Sequence, residues 1–235
     1  MIKAVIWDID NTLTDFMKMK KAAVDSAVDG MLDAGLRVDK ETMVKKIFDL
    51  YWKEGVEDQK IFDKILTKEF GKIDYKVLAG GIVGYRRAKA GTMVLYPHVG
   101  MTLADLQKLG IKMAVISDAP RLEVWLRIVG LGLHHYFDQV ITSEDTGVKK
   151  PAPEPFRKAL ELLGTKPSET IMVGDWADRD VVGAKAVKIR TAWAKYGNTF
   201  DTKESGADYE LNDVYDLVEI IKRENGIAKK ETVAS

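Results

Sequence analysis

Five short apolar runs, "KAVIW", "KMAVI", "DQVIT", "TIMVG" and "KIRTAW", divide a chain whose other stretches carry helical periodicity. Runs of this length read as strands. Strands that alternate with helices imply a parallel α/β sheet, because parallel neighbours need a crossover between them. Helices are expected at 99–109, with Gly110 at the C-cap, and at about 122–129. "PEPFRKALELLG" has Pro155 in its first turn and Gly164 past its end, which suits a third. Two more are expected at about 178–186 and 214–223, and the tail "AKKETVAS" is expected to fray.

The first crossover is anomalous. About 100 residues separate the first two strands, where roughly a dozen suffice. Within that interval Val24, Val28, Met31 and Leu32 recur at helical spacing before Gly35. "EDQKIFDKILTKEFG" and "YKVLAGGIVGYRRAKAG" are of the same kind. Residues 16–94 therefore read as an inserted α-helical domain, with linkers near "TLTDF" and "TMVLYPHVG". Residues 1–15 and 95–235 remain as a Rossmann-like core. Tyr51, Trp52 and Phe48 are expected in the core of the insert.

Composition narrows the function classes. Lys and Arg number 36 against 36 Asp and Glu, which gives no electrostatic reason to bind nucleic acid or an anionic membrane. There is no cysteine, so thiol nucleophiles and thiolate metal sites are excluded. No apolar run approaches the roughly 18 residues of a membrane span, and "MIKAVIWDID" is too short and too quickly acidic for a signal peptide. A cytoplasmic enzyme, monomer or homodimer, is the expectation. His98, His134 and His135 form no ligand pattern and are expected at the surface or at helix ends.

Polar groups end or follow four successive strands: Asp8 and Asp10, then Ser117 and Asp118 in "AVISDAP", Lys150 in "GVKKPAPEPF", and Asp175 in "IMVGDWADRD". In an open parallel sheet, ligand sites gather at the carboxyl ends of the strands. Asp8, Asp10 and Asp175 offer oxygen ligands to a hard cation such as Mg²⁺. Lys150 offers fixed positive charge and Ser117 a hydroxyl donor. Together these suit the binding and transfer of a phosphoryl group. Each has a plainer use as well. Asp10 with Asn11 makes a turn, Asp175 or Asp178 caps a helix, Ser117 caps the next one, and Lys149 and Lys150 are solvated charges. Those uses would have to coincide at four strand ends. Asp145, Asp178 and Arg179 stay with the plainer reading.

"DIDNTLT" resembles the D-x-D-x-T signature of the haloacid dehalogenase (HAD) superfamily, and "VISD", "KKPAPEPF" and "GDWADRD" resemble its next three motifs in order. The insert between the first two motifs resembles that family's C1 cap class. The resemblance implies a Mg²⁺-dependent phosphatase of a small phosphorylated metabolite. In it Asp8 is the nucleophile and Asp10 the general acid/base, whose backbone carbonyl also reaches the metal. Ser117 and Lys150 bind phosphate, Asp175 binds metal, and Asp180 supports the metal directly or through water. Asp118 stands where Asn is frequent, and Trp176 where a small hydroxyl residue is frequent. A 2-haloacid dehalogenase or a phosphotransferase on the same fold, or a noncatalytic binding protein, are the competing expectations.

Overall fold

The computed structural model describes residues 1–227, so the tail "AKKETVAS" lies outside them. The core is one six-stranded parallel sheet. Its strands are β1 (Ala4–Trp7), β2 (Lys112–Ser117), β3 (Gln139–Thr142), β4 (Thr170–Gly174), β5 (Arg190–Ala194) and β6 (Tyr209–Leu211), in the order β3-β2-β1-β4-β5-β6. The most central pairings set Trp7 opposite both Val115 and Val173. The first-strand acids therefore emerge between the ends of β2 and β4, at the point where the strand order reverses.

Side-chain alternation builds two apolar layers. Val5, Trp7, Met113, Val115, Ile171 and Val173 belong to one, Ala4, Ile6, Ala114, Ile116 and Met172 to the other. On the first pack α5 (Val99–Lys108), α6 (Arg121–Gly130) and α10 (Asp216–Glu224); on the second pack α8 (Pro153–Leu163) and α9 (Val182–Ala186), and a single turn, α7 (Ser143–Thr146), follows β3. Both faces are covered, as parallel sheets require.

Two features of the core differ from the sequence reading. The strand β6 is additional: "YEL" is three residues long with one buried side chain, too short for periodicity to reveal. The helix expected from about residue 178 begins instead with a π-helical turn, Ala177–Val181, before α9.

Phe16–Val94 forms a second compact unit. It contains α1 (Phe16–Asp33), α2 (Lys40–Glu54), α3 (Ile61–Phe70) and α4 (Tyr75–Thr92). The segment forming α2 was not singled out in the sequence. The chain leaves the core at Asp15 and re-enters at Leu95, where Thr14 and Leu95 form an antiparallel bridge and the Tyr96 N–H donates to Leu13 O at 3.0 Å. Within the insert Val24, Val28, Met31, Ile47, Tyr51 and Ile65 form the core, with Phe48 packed against it. Trp52 is 57% exposed and does not belong to it, because it lies one position round α2 from Tyr51. No helix among the described residues is long and apolar enough to cross a membrane.

Helices α1 and α4 touch through backbone. A Cβ on Gly80 would lie 2.3 Å from Gly30 O, and one on Gly84 would lie 2.2 Å from Ser26 O. The Ser26 hydroxyl donates to Gly84 O at 3.0 Å across the same seam. Helix propensity favours Ala over Gly by about 1 kcal/mol, but here a methyl group must force two backbones apart. Gly84→Ala is expected to destabilise the insert by about 1–3 kcal/mol, while Gly91→Ala, with nothing within 4 Å of its Cβ, should be neutral or stabilising. Thermal unfolding of the two variants side by side checks this; equal midpoints would show that the seam is compliant.

Candidate active site

The turn after β1 is built on one carbonyl. Ile9 O accepts the N–H groups of Thr12, Leu13 and Thr14, and Asn11 takes a left-handed φ of 57°. The Asp8 N–H donates to Val173 O at 2.9 Å, which fixes where its carboxylate leaves the sheet. Gly197 passes so close to this turn that a Cβ would lie 1.6 Å from Asn11 O. The Tyr196 hydroxyl, one residue before, donates to Thr12 O at 2.7 Å. Any side chain at Gly197 would displace the turn that carries the acids.

Lys150 reaches the same place from the loop after β3. Its buried Nζ donates to Asp8 Oδ1 at 2.5 Å, to Asp180 Oδ1 at 2.7 Å and to Ile116 O at 3.3 Å. Its own backbone N–H donates to Asp118 Oδ1 at 2.9 Å, and Arg179 Nη1 donates to Asp118 Oδ2 at 3.0 Å. Asp118 thus braces the lysine loop against the π-helical turn. The guanidinium of Arg179 also lies 3.7 Å from the ring centre of Trp176, which stacks on Phe200. The Asp180 carboxylate accepts the Trp176 N–H at 3.1 Å with its second oxygen, so the π-turn closes over its own side chain.

Asp8, Asp175 and Asp180 are all buried, and each offers a carboxylate oxygen within 4.8 Å of the others. Burial pushes the Asp8 carboxyl up to about 7; Asp180 and Asp10 add to the rise, and Lys150 opposes it. Burial also raises Asp175 well above the carboxylate range, with Asp8 and Asp180 adding to it. For Lys150, burial disfavours the charge, but Asp180, Asp8 and Asp118 outweigh it and hold the ammonium protonated. Asp175 Oδ2 is buried without a hydrogen-bond partner, although Thr12 Oγ1 stands 3.5 Å from Oδ1. Such a set is costly alone. Hard oxygen donors, one of them orphaned, with the Asp8 and Asp175 carboxyls held above the usual carboxylate range by burial and mutual repulsion, fit a divalent cation such as Mg²⁺.

The predicted residues do not all converge in one way. Asp8, Lys150, Asp175 and Asp180 form a single network. Ser117 is buried at the end of β2, next to the carbonyl that accepts Lys150, and its Oγ accepts the Ala119 N–H at 3.3 Å. It does not cap α6, whose N-cap is Pro120. The Asp10 carboxylate is not in the cluster; its Oδ1 lies 3.1 Å from Nε of Arg127. Lys150 is buried, so the solvated reading holds for Lys149 alone. Asp145 forms a capping box with Thr142, the plainer use, whereas Arg179 does more than that reading allowed. His98 is exposed at the start of α5, and His134 and His135 are exposed as well. Sequence reasoning missed Arg127. Its signal was present, since Val124, Arg127 and Ile128 share one helical face and only the middle residue is charged.

Comparison with known proteins adds three findings. The family model for haloacid dehalogenase-like hydrolases matches residues 2–188. A glyceraldehyde 3-phosphate phosphatase of Methanocaldococcus jannaschii is 36% identical over 94% of this chain and 98% of its own length. One from Pyrococcus furiosus is 34% identical over 97% of both chains. Among solved structures, a HAD phosphatase from Thermococcus onnurineus superimposes with a TM-score of 0.67 at 27% identity, over 94% of this chain and 98% of that one.

Proposed function

This chain belongs to the haloacid dehalogenase-like hydrolases, and we propose that it is a phosphatase acting on a small phosphorylated metabolite, with glyceraldehyde 3-phosphate the first to test. The observation that carries the reading is the buried cluster of Asp8, Asp175 and Asp180 around Lys150. That cluster matches what a phosphoryl group needs: a nucleophile, fixed positive charge and a cation-binding acid pair.

In this reading Asp8 attacks phosphorus, forming a P–O bond to its carboxylate as the bond to the leaving alcohol breaks. Asp10 protonates the departing oxygen. It then takes a proton from water, which attacks the aspartyl-phosphate and releases inorganic phosphate with Asp8 restored. Lys150, already bound to Asp8, holds the phosphate oxygens beside the nucleophile and favours the ionised carboxylate that must attack. The Ser117 hydroxyl donates to a second phosphate oxygen. Asp8, Asp175 and Asp180, with the backbone carbonyl of Asp10, would hold Mg²⁺, which screens the phosphate charge from the attacking carboxylate when bound. Every residue assigned to the chemistry lies in the core, and Phe16–Val94 supplies none of them. Hydrolytic dehalogenation would leave the acids at 175 and 180 without use.

The test is phosphate release from a panel of phosphorylated metabolites, including glyceraldehyde 3-phosphate, with Mg²⁺ and with chelator. No release from any member in Mg²⁺ would sink the proposal. Metal binding has a readout apart from turnover. A ligand at a hundred times its Kd stabilises by about 2.7 kcal/mol, roughly 5–10 °C in Tm for a domain of this size. Saturating Mg²⁺ should raise Tm by that order, and Asp175→Ala should abolish most of the rise. An identical shift in Asp175→Ala would remove that residue from the metal set.

A further inference from the structure

We propose that Arg127 is a positioning residue for Asp10, fixing the carboxylate that carries the proton. The inference rests on the reading of Asp10 as acid and base. Five charged side chains are buried among the described residues of the core: Asp8, Arg127, Lys150, Asp175 and Asp180. Four make up the cluster at the strand ends. The fifth comes from the middle of α6, on the face that packs Val124 and Ile128 into the main apolar layer, and it is 1% exposed. A guanidinium is the most awkward side chain to bury there, and a hydrophobic residue of similar volume would generally pack as well. Its Nε lies 3.1 Å from Asp10 Oδ1, and the Asp10 side chain retains 22% exposure.

The geometry gives Arg127 a use. A planar guanidinium presents its donors in fixed directions. Holding Oδ1 from the buried side restricts rotation of the Asp10 carboxylate. With Oδ1 held inside, the other oxygen, Oδ2, is the one offered to the leaving group in the first half-reaction and to water in the second. A proton donor must stand within hydrogen-bond reach of the atom it serves, and small displacements cost much of its effect. An arginine that touches neither substrate nor phosphate thereby sets how well Asp10 works.

The test compares kcat/KM for phenyl phosphate and p-nitrophenyl phosphate. The two share a ring, but nitrophenolate departs readily without a proton and phenolate does not. The parameter kcat/KM reports steps up to phosphoryl transfer, so the ratio reads protonation of the leaving group. Asp10→Asn should lose far more on phenyl phosphate than on p-nitrophenyl phosphate. Arg127→Met should do the same to a smaller degree, at least about tenfold against less than about threefold, and Arg127→Lys should recover part of the ratio. Equal losses on both substrates, or no loss, in a folded Arg127→Met would overturn the inference, since a merely structural arginine lowers both alike. If Arg127→Met does not fold, Arg127→Lys decides. A ratio between those of wild type and Asp10→Asn supports positioning, and the wild-type ratio overturns it. If Asp10→Asn itself loses both substrates equally, the assignment of Asp10 is at fault, which separates the two failures.

Discussion

Asp8→Asn is expected to yield a folded protein with kcat reduced at least about a thousandfold, roughly 4 kcal/mol in the barrier. Asparagine keeps the size of the side chain, and the Asp8 backbone bond to Val173 O is untouched. The attacking charge is lost, and with it the ion pair to Lys150, which keeps Asp180 as its partner. Stability should move the other way. Burial holds the Asp8 carboxyl at about 7 against an ordinary 3.8. Between those values the folded protein holds a proton that the unfolded chain has released. Its stability from this group is therefore full below about pH 4 and is lost as pH rises through 7. Asparagine does not titrate, so the variant should gain on wild type across that window. Phosphate release and urea unfolding at pH 5 and 8, both unfolding series in chelator, check the two halves. Near-normal turnover would remove Asp8 from covalent chemistry. A stability gap independent of pH would mean that the carboxylate is not strained by burial.

The sheet, the insert's helical pattern and the strand-end acids were legible because each obeys a local rule. Apolar runs at β1 to β5 stand between helical patterns, and Asp8, Ser117, Lys150 and Asp175 each follow one of the first four. The three-residue β6 obeys no such rule, being recruited by pairing with β5. The π-turn at Ala177–Val181 escaped notice because its cause is tertiary. Gly174 lies so close to Asp180 that a Cβ there would stand 2.2 Å from Oδ2, and Asp180 must also reach Lys150. Helical periodicity cannot anticipate a backbone widened to aim one side chain. The solvated reading of Lys150 fails for a related reason. Lysine is usually exposed, and only the fold reveals that its charge is needed between two acids distant in sequence. Arg127 and Asp118 lie between these cases. Their residue types were visible and unusual where they stood, but their partners, Asp10 and the Lys150 backbone, were set by the topology.

Lys150→Met should have the second large effect, on stability and turnover together. Methionine keeps most of the length and volume but removes the ammonium that bridges Asp8 and Asp180. Deleting one partner of a buried ion pair typically costs about 3–5 kcal/mol, because the remaining charges lose their compensation. The cost must depend on pH. Lys150 lowers the pKa of both Asp8 and Asp175, so without it carboxyls already raised by burial rise further. Protonation then relieves the repulsion, and the deficit should be small near pH 5 and grow toward pH 8. A divalent cation supplies the missing charge by another route, so Mg²⁺ should stabilise the variant more than wild type. It should not restore turnover, because the lysine donor beside the attacking oxygen is gone; a loss of about 10²–10³ in kcat is expected. Urea unfolding at both pH values, with chelator and with Mg²⁺, gives four midpoints for each protein. Wild-type stability in chelator at pH 8, with turnover intact, would show that the acids neutralise one another by sharing protons and that Lys150 is dispensable to both fold and chemistry.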